Sequence, residues 1–138
     1  MSEYTKPLPV ADVDSQTFWE RCKAHELSAQ RCRDCDKFRW PPQAFCPHCY
    51  SWSFDWTKVG EIGTVASFVI VHYVSIAAFQ EDVPYVVAHI TLDGTDNQIT
   101  MISNVVQCAP QDVRVGMPVR VVFDDVTAEV TLPKFRPV

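Results

Sequence analysis

Basic residues are scarce in this chain of 138 residues, with 12 Lys plus Arg against 17 Asp plus Glu and a net charge of −5. A surplus of acid makes a poor default binder of nucleic acid or of an anionic membrane. A long apolar run is missing as well. The longest, near Val65–Val74, is interrupted by Ser67 and His72 and is far too short to span a bilayer. The opening residues, Met1 to Pro7, lack the basic-then-apolar pattern of a signal peptide, so a cytoplasmic protein with no membrane association is expected. There is no G-x-S-x-G, no H-E-x-x-H and no P-loop, the patterns of a nucleophile elbow, a zinc protease and a phosphate cradle. His72 and His89 fall in predicted strands and could approach each other across a barrel, but read better as hydrogen-bonded structural histidines. Glu81-Asp82 and Asp124-Asp125 fall in predicted loops and read as solvated. No catalytic residue is assigned, and the chain reads as a binder or scaffold.

What is present is globular: 47% hydrophobic, 12% aromatic and 21% charged is too apolar for disorder. At this length roughly 68–70% of the unfolded surface is buried on folding, enough for a real core.

The six cysteines carry the sharpest signal. Four of them form Cys32-Arg33-Asp34-Cys35, a ten-residue spacer and Cys46-Pro47-His48-Cys49. A reducing compartment argues against two disulfides. Two CxxC pairs that close on each other supply four thiolates in the tetrahedral arrangement of a structural Zn²⁺ site. Iron in a rubredoxin-like cage is the alternative, since four thiolates suit both metals. Such a site is closed to substrate, and its role is folding energy where hydrophobic core is short. Pro41-Pro42 and Pro47 stiffen the turns. His48 reads as a solvated loop side chain, and Cys22 and Cys108 as small apolar residues.

The chain divides into an N-terminal arm and helix (1–26), a zinc ribbon (27–58) and a β-barrel (59–138). Residues 14–17 offer N-cap candidates, and Thr17-x-x-Glu20 has the form of a capping box opening a short helix near 15–25. Its Phe18-Trp19 face must dock on the rest of the chain or on a partner, because so short a helix is unstable alone. Leu27–Arg31 alternates as a strand. Tyr50 to Trp56 places aromatics at every second position, one face of a strand. Trp40, Trp52, Phe54 and Trp56 are expected to pack the ribbon, base stacking being the alternative. From Val59 on the pattern is pure β, with strands over 60–74, 84–92, 98–104, 119–123 and 129–132. Gly60 and Gly63 mark a bend or bulge. A mainly β fold with a short helix, a Cys₄ ribbon and a small OB-type barrel is expected.

Charge is unevenly placed. Residues 1–58 carry 8 basic and 8 acidic side chains, residues 59–138 carry 4 and 9. An OB barrel that tracks a phosphate backbone wants a basic groove, so single-stranded nucleic acid is disfavoured as ligand. The basic residues cluster in the ribbon at Arg31, Arg33, Lys37 and Arg39. Arg33, Lys37 and Arg39 are candidates for a compact polyphosphate, such as that of a cofactor, or for an acidic partner surface.

Phe18-Trp19, the Cys32 to Cys49 ribbon, Gly60-Glu61-Ile62-Gly63-Thr64-Val65, Pro84 to Ala88, Gly116 to Val119 and Leu132 to Pro137 together resemble one family. It is the family of acyl-CoA-associated proteins with a rubredoxin-like zinc ribbon followed by an OB-fold, and the resemblance runs over about residues 15–138. Val59 stands where a Ser commonly precedes the first glycine. The resemblance implies Zn²⁺ on Cys32, Cys35, Cys46 and Cys49. It also implies a non-catalytic subunit of a thiolase-fold enzyme (a thiolase, acyltransferase or aldolase), two copies on a thiolase dimer, that helps hold or pass an acyl-CoA thioester. Phe18 and Trp19 are then candidates for docking on that partner.

Overall fold

The structure, a computed structural model, describes residues 4–138. The predicted arm over 1–13 begins outside the described residues; from Tyr4 to Asp12 it carries no helix or strand. Asp12 and Ser15 then exchange hydrogen bonds, Ser15 N–H to Asp12 Oδ1 at 2.7 Å and Asp12 N–H to Ser15 Oγ at 3.1 Å. This turn launches helix α1, Gln16–Lys23. The expected capping box does not form, because the N-cap is Ser15 and Thr17 lies inside the first turn. Arg21 and Lys23 sit in the last turn, where cations suit the helix dipole.

The ribbon is a three-stranded antiparallel sheet in the order β2-β1-β3, with β1 Ser28–Cys32, β2 Phe38–Arg39 and β3 Phe54–Lys58. Gln30 in the middle strand faces Arg39 on one side and Trp56 on the other. The alternation from Tyr50 to Trp56 misled: only Phe54 onward is strand. Tyr50 has φ 63°, which no β-strand tolerates, so it and Trp52 belong to the loop after the second CxxC. Both are 72% exposed, and Trp52 does not pack the ribbon as expected.

Five strands close a barrel in the order β4-β5-β6-β8-β7, with β4 Ile62–Val71, β5 Tyr85–Leu92, β6 Thr100–Val105, β7 Pro118–Asp125 and β8 Thr131–Pro137. β6 and β8 pair in parallel at Val105 and Phe135, and every other pair is antiparallel. Val65, Val86, Ala88, Ile90, Val119 and Phe135 point inward and are almost fully buried, as period-2 alternation requires. The register shift in β4 falls between Val65 and Ser67, at Ala66 and not at the glycines. Gly63 serves another purpose: a Cβ there would meet Ile90 Cγ2 at 2.6 Å and the Thr91 carbonyl at 2.9 Å. His89 lies opposite Ser67 and His72 one residue past the end of β4, so the two do not meet.

Contacts from the ribbon and from the end of the helix segment reach the barrel. Val59 N–H donates to the Leu27 carbonyl at 2.9 Å, and Phe38 N–H to Gln98 Oε1 at 2.8 Å. His25 Nε2 lies 2.9 Å from Asp125 Oδ1 while its ring stacks on Phe123 at 5.2 Å. No helix among the described residues is long and apolar enough to cross a membrane.

Gly63→Ala is expected to lower stability by about 1–3 kcal/mol through overpacking, read from the urea midpoint. Asp125 is held below the ordinary carboxylate range, first by the Thr131 hydroxyl and then by His25. A depressed folded pKa stabilises above the unfolded value of about 3.9 and is lost as pH falls through the folded one. Asp125→Asn should therefore lose stability at neutral pH and show a shallower acid limb in denaturant midpoints taken from neutrality downward.

Candidate metal centre

Each CxxC sits on a tight turn that closes on its own backbone. Asp36 N–H returns to the Cys32 carbonyl at 3.1 Å, and Cys32 N–H donates to the Lys37 carbonyl at 2.9 Å. The second turn repeats the plan, with Tyr50 N–H on the Cys46 carbonyl at 2.9 Å and Cys46 N–H on the Ser51 carbonyl at 2.8 Å. Asp36 and Tyr50 occupy equivalent places and both have positive φ, 66° and 63°. Two like knuckles thus face each other, clasped by the Ser51 hydroxyl donating to Asp34.

The four sulfurs of Cys32, Cys35, Cys46 and Cys49 lie within 4.8 Å of one another. Cys32–Cys49 and Cys35–Cys46 are each 3.6 Å apart. A tetrahedron of thiolates about 2.3 Å from zinc has edges of about 3.8 Å, so the set fits a single ion with little adjustment. The electrostatics agree. Cys32 is drawn down to about 6, first by the Cys35 N–H. Burial pushes Cys46 up, but the N–H groups of Cys49 and His48 outweigh it and its thiol is lowered. At Cys49 the Ser51 N–H favours the anion, yet desolvation and the three neighbouring sulfurs push it up to about 12. Cys35 likewise has the Lys37 N–H in its favour and is raised overall by burial and by Cys46 and Cys32. Two thiols favour the anion and two resist it, a conflict that a divalent cation removes. With all four positions taken by sulfur, such a centre offers no place for substrate.

The other candidate residues are scattered by the fold. Arg33 forks onto Asp55, with Nη2 at 2.6 Å, and Arg31 pairs with Asp36 at 3.0 Å. Lys37 is exposed. Arg39 is 1% exposed, with its guanidinium over the Phe54 ring at 4.8 Å and Nη1 donating to the Gln43 carbonyl. The expected basic surface is therefore not formed: Arg39 is interior to the ribbon and cannot meet a polyphosphate at its surface. Phe18 is corrected in the same way. It is buried, in edge contact with Trp19 at 5.0 Å and Trp40 at 5.1 Å, so its docking site is its own chain, with Trp19 half-buried beside it.

Two features had no warning in the sequence pattern. Phe45 lies 5.8 Å from Trp52 and 6.5 Å from Tyr50, an open aromatic cluster beside the second knuckle. A cleft of about 340 Å³ is lined by Tyr4 and Lys6 of the arm and by Phe79, Tyr85, Asn104 and Lys134 of the barrel. Both its lysines are neutralised, Lys6 by Asp82 at 2.8 Å and Lys134 by Asp124 at 2.6 Å.

Sequence comparison separates the same two units. Residues 19–56 match the ChsH2 rubredoxin-like zinc ribbon domain and residues 56–124 the ChsH2 C-terminal OB-fold domain. The chain belongs to the ChsH2 (DUF35) family. Among similar proteins is a probable enoyl-CoA hydratase alpha subunit of Thermomonospora curvata, 36% identical over 96% of this chain and 40% of its own length. A 3-oxo-4,17-pregnadiene-20-carboxyl-CoA hydratase alpha subunit of Mycobacterium tuberculosis is 32% identical over 85% of this chain and 36% of its own length. The chain thus spans well under half of these two relatives. A DUF35 domain-containing scaffold protein of Methanocaldococcus jannaschii is 35% identical over 70% of this chain and 67% of its own. In a solved Ltp2-ChsH2(DUF35) aldolase, one chain superposes with a TM-score of 0.84 and 35% identity, over 94% of this chain and 98% of that one.

Cys46→Ser in this ChsH2-family protein is expected to abolish stoichiometric metal by elemental analysis and to lose the cooperative unfolding of the ribbon. Metal bound at neutral pH should be released progressively on acidification, because protons compete for the thiolates.

Proposed function

We propose that this chain is a non-catalytic accessory subunit of a thiolase-fold enzyme (a thiolase, acyltransferase or aldolase) acting on acyl-CoA thioesters. Two copies flank a catalytic dimer, support its fold and help hold or channel the CoA substrate. The observation that carries this reading is the likeness, from end to end of both chains, to one chain of the Ltp2-ChsH2(DUF35) aldolase. The acyl-CoA vocabulary of the two hydratase relatives points the same way. In this reading Zn²⁺ on Cys32, Cys35, Cys46 and Cys49 fixes the ribbon. Among the earlier candidates, the exposed Lys37 and the surface ion pair of Arg33 are left to contact CoA or the partner, and the half-buried Trp19 to contact the partner. The partner supplies the nucleophile and the acid–base groups, and the complex makes or breaks a C–C bond next to the thioester.

The test is affinity purification of the tagged chain from its native host, with co-purifying protein identified by mass spectrometry and metal by elemental analysis. A near-stoichiometric thiolase-fold protein and one zinc per colourless chain are expected. Recovery of oligonucleotide in its place would sustain the nucleic-acid reading of the OB-fold, and red, iron-loaded protein that of an electron carrier.

A further inference from the structure

Between Lys58 and Arg114 the sequence holds no Lys or Arg at all. Strands β4, β5 and β6 lie within that stretch and contain no charged residue of either sign. They are neighbours in the barrel, and their register sets which side chains share its outer surface. Ser67, His89 and Ile102 form one cross-strand row, Val69, Val87 and Asn104 the next. Val69 is 61% exposed and Ile102 68%. The loop that extends the face beyond β4 adds Tyr73 at 85% and Ile76 at 50%. An outward sheet face in water ordinarily alternates to polar and charged residues. This one carries no charge across three strands: Val69, Val87 and Ile102 stand among Ser67, His89, Asn104 and the Thr91–Thr100 hydroxyl pair.

The two loops that join these strands hold Asp and Glu and no Lys or Arg. Glu81 and Asp82 stand in the β4–β5 loop, Asp93 and Asp96 in the β5–β6 turn. Asp82 is neutralised by Lys6. Glu81, Asp93 and Asp96 have no ion-pair partner among the described residues. A face without charge that exposes Val69, Tyr73, Ile76 and Ile102 between charged turns has the anatomy of a protein interface, and the sign of those turns selects its occupant. A second copy of this chain would bring acid against acid. Anionic lipid and nucleic acid are repelled for the same reason.

We infer that the outer face of β4–β5–β6 is the surface by which this chain docks on a different protein, one presenting an uncharged patch of apolar and hydrogen-bonding groups rimmed by Lys and Arg. Resting on the functional reading above, that protein is the catalytic subunit. The ribbon, whose charged groups pair largely within it, is then not the primary anchor.

The test uses the full chain carrying Val69→Glu and Ile102→Glu together, with a Tyr50→Ser, Trp52→Ser double variant as the control on the ribbon. Both pairs are exposed, and retained metal and an unchanged unfolding midpoint establish that each variant is folded. Binding to the co-purified partner is then measured by titration. The barrel variant should weaken association at least tenfold, and Glu81→Lys with Asp93→Lys should weaken it further and flatten its salt dependence, while the ribbon control binds as before. Undiminished binding by the barrel variant overturns the inference and leaves the functional reading intact. A homodimer of the isolated chain that the barrel variant dissolves overturns it in favour of a second copy. If the partner recovered is not of thiolase fold, the functional reading fails, and the same variants still decide the face: loss of that partner supports it, retention overturns it.

Discussion

Four sulfurs held within 4.8 Å of one another are a problem before they are a site. Thiolates at that distance repel, and two of the four, Cys32 and Cys46, are buried. The backbone turns pull Cys32 and Cys46 toward the anion while crowding pushes Cys35 and Cys49 away from it. The geometry is therefore at ease only around a cation. Much else in the N-terminal half follows from that constraint, because β2 has two residues and β3 five, too little sheet to stand alone. The knuckles set where β1 ends and β2 begins, and through them the placement of Arg39 and Phe38.

The barrel is held differently, by a packed apolar interior, with its charged strand residues confined to β7 and β8. Its interior is filled by alternating apolar residues, and its seam is the parallel pairing of β6 with β8. A backbone bond at Val59 and the Gln98 amide on Phe38 join ribbon to barrel, and the His25–Asp125 pair stacked on Phe123 joins the helix segment to it. Helix α1 is packed between them, its Phe18 spent on the interior.

Much of this was legible from the residues alone. The cysteine spacing announced the ribbon, and β-branched runs separated by turn residues announced five strands, each placed within a few residues of its observed start. Periodicity failed where local backbone geometry overrode it. Tyr50 to Trp56 alternates like a strand, but the knuckle needs a positive φ at Tyr50, which swings the first two aromatics into solvent. The capping-box motif at Thr17 lost to the Asp12–Ser15 turn one step earlier. Reading Arg31, Arg33, Lys37 and Arg39 as one basic surface failed because the β1–β2 register sets Arg31 opposite Phe38 and Arg39 opposite Gln30, on opposite faces of the sheet. Arg39 went inside, and Arg31 and Arg33 met carboxylates that are five and 22 residues away in sequence. No composition rule could have found the His25–Asp125 pair, whose partners are 100 residues apart.

Closure of the barrel has a price in time. β4 pairs with β5 across a loop and with β7 only after the intervening strands are made, Ile62 meeting Arg120. Contacts of such separation form slowly. The β4–β5–β6 meander, made of pairings between strands consecutive in sequence, carries no charge on any of its strands. Such a segment adheres to its like. The acidic turns at Glu81-Asp82 and Asp93 to Asp96 flank its uncharged strands, the placement that gatekeeper charges take beside aggregation-prone strands.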